Sequence, residues 1–139
     1  IYFDRGAEAG LDVISAASDP GRLGVTAYTY AHIPMVAGII VSAAAAELAI
    51  EHPSEQVSAA TAAVILGGPV LYLLGHAWFK WAVWQHVPPT RFAGLLALVA
   101  LVPLAIVASA LVLLAAVAIV LGALALRDTV AFQATGGDT

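Results

Sequence analysis

The stretch FAGLLALVALVPLAIVASALVLLAAVAIVLGALAL, from Phe92 to Leu126, contains no charged residue and decides the class of fold. A single helix of that length would measure about 52 Å, whereas the hydrocarbon core of a membrane is roughly 30 Å thick. Pro103 lies near the middle of the stretch and lacks the backbone N–H that a continuous helix needs. The stretch therefore predicts two short membrane-spanning helices, over residues 91–104 and 107–127.

The composition of the whole chain supports a membrane protein. Of its 139 residues, 62% are hydrophobic and 10% are charged, against about 25% charged residues in soluble domains. The net charge of −4 argues against nucleic-acid binding, which requires clustered Lys and Arg. The absence of cysteine excludes disulfides, thiolate metal sites and cysteine nucleophiles. We therefore predict an all-α, polytopic transmembrane helix bundle.

Two further spans are predicted, at residues 25–50 and 57–81, so that a four-span bundle occupies residues 24–127. Residues 1–23 are interpreted as a cytoplasmic helix extension that ends in a turn, and residues 128–139 as a frayed cytoplasmic tail. With four spans, all basic residues fall on one side, which the positive-inside rule assigns to the cytoplasm. These residues are Arg5, Arg22, Lys80, Arg91 and Arg127.

Several polar side chains interrupt the apolar spans, and each is costly in hydrocarbon. Tyr28 and His32 share one helical face, and His76 is expected at similar depth in the antiparallel second span. An imidazole titrates near about pH 6.5 and can accept or donate a proton, which favours a proton or solute pathway. The candidate pathway residues are Tyr28, Tyr30, His32, Glu47, Tyr72 and His76.

A structural interpretation of the same residues stands beside the pathway. Either histidine can form a hydrogen bond with a neighbouring helix, for example at the carbonyl that Pro34 leaves free. Glu47 can reach water near the opposite membrane surface, where it has no basic partner. Glu47 and His52 supply too few ligands to indicate a metal site.

Small residues and prolines indicate where helices bend or pack closely. Gly38, Ser42 and Ala46 form a row on one helical face, which allows another helix to approach. Pro34 predicts a kink near the start of the first span. The triplet Gly67-Gly68-Pro69 predicts a bend in the second span.

The chain resembles the C-terminal part of the bacterial low temperature requirement A family of membrane proteins. The most specific segment is Tyr28-x-Tyr30-x-His32-x-Pro34 followed by Gly38-Ile39. The resemblance continues through the segments Tyr2-Phe3-Asp4-Arg5, Asp19-Pro20-Gly21-Arg22-Leu23, Glu47, His52-Pro53, Gly67-Gly68-Pro69 and Leu71-Tyr72-Leu73. It implies a piece of a longer multi-span inner-membrane protein, linked by family name to growth in the cold, and implies no settled activity.

Two functions are compatible with these observations. The first is transport or permeation of protons or a small solute, and the second is a structural or stress-adaptive membrane component without flux. No phosphate-binding loop, G-x-S-x-G elbow or HExxH motif occurs, so we expect neither an enzyme nor a metal or cofactor. The expected partners are the lipid bilayer, the remaining N-terminal helices of the longer protein and, as a further option, a homo-oligomer.

Overall fold

The computed structural model describes residues 12–135, and side-chain surroundings are described for residues 12–130. The described helices are α1 (Pro20–Val25), α2 (His32–Glu51), α3 (Ala59–Trp84), α4 (Pro89–Ala100), α5 (Leu104–Val107) and α6 (Ala110–Thr135). A π-helical turn, Thr26–Tyr30, joins α1 to α2. The interpretation of residues 1–11 as part of a helix extension, and of residues 136–139 as frayed, lies outside the described residues.

Four helical stretches in the described part are long and apolar enough to cross a membrane. They are Pro20–Glu51, Ala59–Trp84, Pro89–Val107 and Ala110–Val130. The prediction of an all-α, polytopic bundle with four spans is confirmed. Because α1, the π-helical turn and α2 form one of these stretches, the first span begins earlier than the sequence predicted.

Residues 12–15 are helical and residues 16–19 form a turn, after which a new helix begins at Pro20, within the segment interpreted as a helix extension that ends in a turn. The Asp19 carboxylate accepts a hydrogen bond from the Arg22 N–H at 3.0 Å and caps α1. Pro20 occupies the first turn, where a backbone N–H needs no partner within the helix. Aspartate followed by proline is equally good chemistry for a turn and for a helix start, so local sequence did not separate the two.

The break between the last two spans lies at residues 108–109, whereas the sequence predicted it between residues 104 and 107. α4 ends at Ala100, a turn follows, and the one-turn helix α5 precedes an extended residue, Ala108. Pro103 stands at the N-cap of α5, where its missing N–H disrupts no helical hydrogen bond. The last helix then continues to Thr135. Residues 128–135 are therefore helical, where the sequence analysis predicted a frayed tail.

The loop between α2 and α3 holds the break between α5 and α6 in place. The Gln56 side-chain amide donates to the Ile106 carbonyl at 2.6 Å, and the Val57 N–H donates to the Ala108 carbonyl at 3.3 Å. An isolated bridge pairs Gln56 with Ser109. These contacts satisfy backbone groups that the break removes from helical bonding. We call the end of the bundle that contains this loop and this break the far end.

Glycines bring α2 and α3 together almost backbone to backbone. A Cβ atom added at Gly38 would lie 2.5 Å from the Tyr72 nitrogen, and one at Gly68 would lie 2.5 Å from Ser42 Oγ. At Gly75 the nearest atom, Met35 Cγ, would be 2.8 Å away. These distances are shorter than any van der Waals contact, so only glycine fits at the three positions.

The other residues predicted to bend or pack helices differ in their burial and in their position within the helices. Ala46 is half-buried and Pro69 is buried within α3, which continues through the proline. Gly67 has no atom within 4 Å of an added Cβ, so it faces open space. Pro34 is the third residue of α2, and the helical irregularity lies upstream of it in the π-helical turn.

The apolar core lies where α4 and α6 pack on α3, and α2 also contributes. Its buried residues are Ala45, Ala49, Ile65, Leu73, Leu98, Ala110, Leu113 and Val117. The hydrophobic effect stabilises such a core only where its side chains would otherwise contact water. Within a membrane, close packing and polar contacts between helices decide the arrangement.

Candidate functional site

Three charged or titratable side chains from three helices meet near the end of α3. Arg91, in the first turn of α4, donates a hydrogen bond from Nε to His76 Nδ1 at 3.0 Å. The Arg91 Nη1 atom lies 2.7 Å from Asp128 Oδ2 in α6. The Arg91 side chain is only 13% exposed and that of Asp128 is 28% exposed. We call these residues the His76 cluster, and their end of the bundle the basic end.

The contact with Arg91 determines the protonation pattern of the His76 ring. A guanidinium N–H can only donate, so Nδ1 of His76 must accept with its lone pair. The single ring hydrogen of His76 therefore lies on Nε2. His76 is thus a neutral imidazole whose acceptor atom is already engaged.

A cavity of about 190 Å³ opens beside the His76 cluster. Its polar lining comes from the cluster and from Tyr72, whose ring centre is 6.2 Å from that of His76. Apolar lining is supplied by Leu73, Leu121, Leu124 and Ala125. The cavity therefore has a charged side and a hydrocarbon side.

Two further cavities continue from this one along α3. Tyr72 and Leu121 also line a cavity of about 250 Å³ together with Ile39, Ser42 and Pro69. A third cavity of about 110 Å³ shares Ser42, Pro69 and Leu121 and extends to Ala45, Ile65, Leu114, Val117 and Ala118. Because neighbouring cavities share lining residues, we describe them together as the α3 groove, which runs between α2 and α6 from the His76 cluster toward the middle of the bundle.

His32 lies at the same end of the bundle but in a different environment. Its ring stacks on Tyr28 with centres 5.8 Å apart, and it meets Phe79 edge-on at 5.4 Å. Phe79 in turn meets Trp84 edge-on at 5.9 Å. The Lys80 ammonium lies 4.3 Å from the centre of the Trp84 ring, a favourable cation–π distance. His32 therefore belongs to an aromatic cluster between the start of α2 and the end of α3.

The π-helical turn explains the hydrogen bond of His32. In that turn the Ala31 N–H donates to the Thr26 carbonyl at 3.0 Å, so the Ala27 carbonyl loses the N–H that an α-helix would supply. His32 Nδ1 donates to this Ala27 carbonyl at 3.0 Å. The ring thus completes the hydrogen bonding of its own helix, at a carbonyl freed by the π-helical turn and not by Pro34.

The structure separates the six candidate pathway residues. Tyr72 and His76 line the cavity, whereas Tyr28 and His32 form the stacked pair. Tyr30 is 53% exposed, and the exposed Glu47 lies about 22 Å along α2 from His32, toward the far end. No ion pair joins Glu47 to another residue within residues 12–130, and within that range no group of three potential ligands is placed to hold a metal.

Sequence reasoning missed Arg91 and Asp128 as site residues. Arg91 was the first residue of a predicted span and Asp128 the first residue of the predicted tail, and charges are ordinary at such boundaries. One signal in the sequence could have found them. The two residues carry opposite charges, and a four-span topology places both of their span ends on the same side of the membrane. Such a pair can be recognised only if the boundaries of the spans are set within about one turn.

Comparisons with known proteins identify a family. A sequence model of the bacterial low temperature requirement A protein matches residues 1–126. An uncharacterized protein of Rhizobium meliloti (strain 1021) is 32% identical over 100 residues, which is 72% of this chain and 24% of the relative. The matched part thus spans about a quarter of that relative's length. No solved structure matches.

Proposed function

The chain belongs to the bacterial low temperature requirement A family, and we propose that it contributes one side of a permeation pathway for protons or a small solute. The observation that carries the proposal is the His76 cluster. A guanidinium, a carboxylate and an imidazole meet at the basic end of an apolar bundle, within its spans, and border a cavity. Charged groups at such positions are costly and generally serve a function.

The α3 groove supplies the route in this proposal. It joins the cluster to the middle of the bundle through a series of adjoining cavities. Tyr72 stands between the charged cavity and its apolar neighbour and lines both. Its hydroxyl group is suited to orient water or a solute at that step.

Orientation and partners form part of the proposal. The described basic residues Arg22, Lys80, Arg91 and Arg127 lie at the ends of spans that share the basic end. The positive-inside rule places this end in the cytoplasm of a bacterial inner membrane. The remaining helices of a longer family member, or a second copy of the protein, would close the open side of the groove.

The test uses the full-length protein in liposomes that contain a pH-sensitive dye. We expect an imposed proton gradient to collapse with the wild type, and at least about tenfold more slowly with His76→Phe, because removing a proton-transfer group costs at least this much. His32→Ala is the matched control, since its imidazole lies outside the groove. Equal rates for folded wild type and folded His76→Phe would contradict the proposal for protons. The same comparison with radiolabelled solutes tests the proposal for a small solute.

A structural role without flux is the second candidate. It is supported by the way the cluster joins three helices through paired polar atoms, as interhelical contacts in membranes do. Under this alternative, His76→Phe would lower thermal stability in detergent and leave the permeability of the liposomes at the protein-free level throughout.

A further inference from the structure

We infer that His76 Nδ1 is a proton-binding site, and that binding a proton there releases Arg91 from α3. The inference rests on the proposed function, because it names the proton as the ligand of the same cluster. It adds a mechanism by which the ligand alters the site that it enters. The bond to be broken is the 3.0 Å hydrogen bond from Arg91 Nε to His76 Nδ1.

The proton and Arg91 compete for one lone pair. A proton from water that adds to Nδ1 converts the imidazole into an imidazolium with N–H groups at both nitrogens. No acceptor then remains for the Arg91 N–H, and two positive charges face each other where a hydrogen bond had been. The new N–H bond forms as an O–H bond of a hydronium ion breaks and leaves water, and the reverse transfer restores the starting state.

The groups that surround His76 determine where Arg91 goes. Arg91 and Lys80 are the cations near His76, Asp128 is the anion, and His32 and Tyr72 are the other titratable neighbours. Arg91 is already 2.7 Å from Asp128 through Nη1. Once repelled by the imidazolium, Arg91 keeps this ion pair with α6, while its link to α3 is lost.

Release of Arg91 would widen the cavity between α3 and α6. The Arg91 guanidinium reaches from α4 to His76 of α3 and to Asp128 of α6. Ala125 and Leu121 of α6 line the same cavity. With the Arg91 hydrogen bond to α3 broken, the described residues hold α6 to α3 at this end through apolar contacts and through the attraction between the imidazolium and the Asp128 carboxylate. Water and small reagents should then reach the lining of the cavity more easily.

Thiol accessibility measures this widening directly. The chain has no cysteine, so Ala125→Cys introduces one thiol into the cavity lining of the full-length protein, with any cysteine outside this chain replaced by serine. Val130→Cys, 64% exposed near the end of the same helix, is the reference for the intrinsic pH dependence of the reaction. The modification rate with a charged methanethiosulfonate reagent is measured in liposomes from about pH 8 to about pH 3, a range that includes the ordinary titration of imidazoles and of carboxylates.

We expect the ratio of the Ala125→Cys rate to the Val130→Cys rate to rise at least about fivefold toward low pH, as loss of one hydrogen bond would give. In a His76→Gln background the ratio should stay flat, because the amide oxygen accepts from Arg91 but does not titrate. His76→Asn is a second non-titrating background, and His32→Gln should leave the rise intact. Since Asp128 remains in all of these variants, its own titration is common to them.

A flat ratio with His76 present, or an equal rise with His76→Gln, would overturn the inference. The outcome is separate from that of the flux test. A pH-dependent ratio in a protein without proton flux would support the proton site and refute the permeation of protons. Proton flux with a flat ratio would refute only the inference drawn here.

Discussion

The two interfaces of α3 are built in opposite ways. Toward α2, glycines remove the side chains and the two helices pack at backbone distance. Toward α6, the helices leave the cavities of the α3 groove between them, and the half-buried His76 cluster crosses the space. The first interface has no room for a second arrangement. The second contains both empty volume and polar contacts that can be exchanged.

This difference separates a rigid part of the bundle from an adaptable one. Close packing without voids tolerates neither added atoms nor displacement. A polar cluster next to a cavity can change partners at the cost of a single hydrogen bond. We therefore expect substitutions to cost most at the α2–α3 interface, less in the His76 cluster and least at exposed positions.

The largest effect is expected for Gly38→Ala. The added Cβ would lie 2.5 Å from the Tyr72 nitrogen and 2.7 Å from the Gly68 carbonyl oxygen, and neither backbone atom can turn aside. We expect the free energy of unfolding to fall by about 3 kcal/mol, measured by thermal unfolding of the full-length protein in detergent. Gly67→Ala is the matched control, since it faces open space and gains helix propensity, stabilising by about 0.5–1 kcal/mol. Equal losses for the two variants would refute the close approach of α2 and α3.

A smaller effect is expected for Asp128→Leu. The variant leaves Arg91, 13% exposed, without its anion and should lower the free energy of unfolding by about 2 kcal/mol. Adding Arg91→Leu should recover part of that loss, because the uncompensated charge is then gone. Arg127→Leu, at the exposed neighbouring position, serves as the control. A double variant no more stable than Asp128→Leu would show that the ion pair is not the cause.

A loss of about 1 kcal/mol is expected for His32→Phe. The ring should keep its contacts with Tyr28 and Phe79, while the donor to the Ala27 carbonyl disappears. His86→Phe, in the exposed loop after α3, controls for the loss of an imidazole. Proton flux should not change, and a His32→Phe protein that is fully stable but lacks flux would move the pathway from the groove to the aromatic cluster.

The smallest effect is expected for Glu47→Gln. Glu47 is exposed on α2 away from the groove, so both stability and flux should stay within the scatter of surface substitutions, about 0.5 kcal/mol. The same unfolding and liposome assays measure it. A loss above about 1 kcal/mol would reveal a partner for this carboxylate and weaken the assignment of the site to the basic end.

Much of the site was accessible from residue types alone, and part of it was not. Histidine and tyrosine inside apolar helices are conspicuous, so Tyr72 and His76 were found as candidates. Arg91 and Asp128 look ordinary at the ends of spans. They become site residues only because α4 begins, and α6 ends, beside the last turns of α3.

The sequence by itself determined the class of this protein and the number of its spans. Apolar runs of limited length, prolines and one-sided basic residues suffice for that, because the membrane acts uniformly on every residue that enters it. Only the tertiary structure decided which histidine lines a cavity and which completes its own helix. That choice depends on the rotation of each helix and on a π-helical turn, and both are set by contacts between residues far apart in the chain.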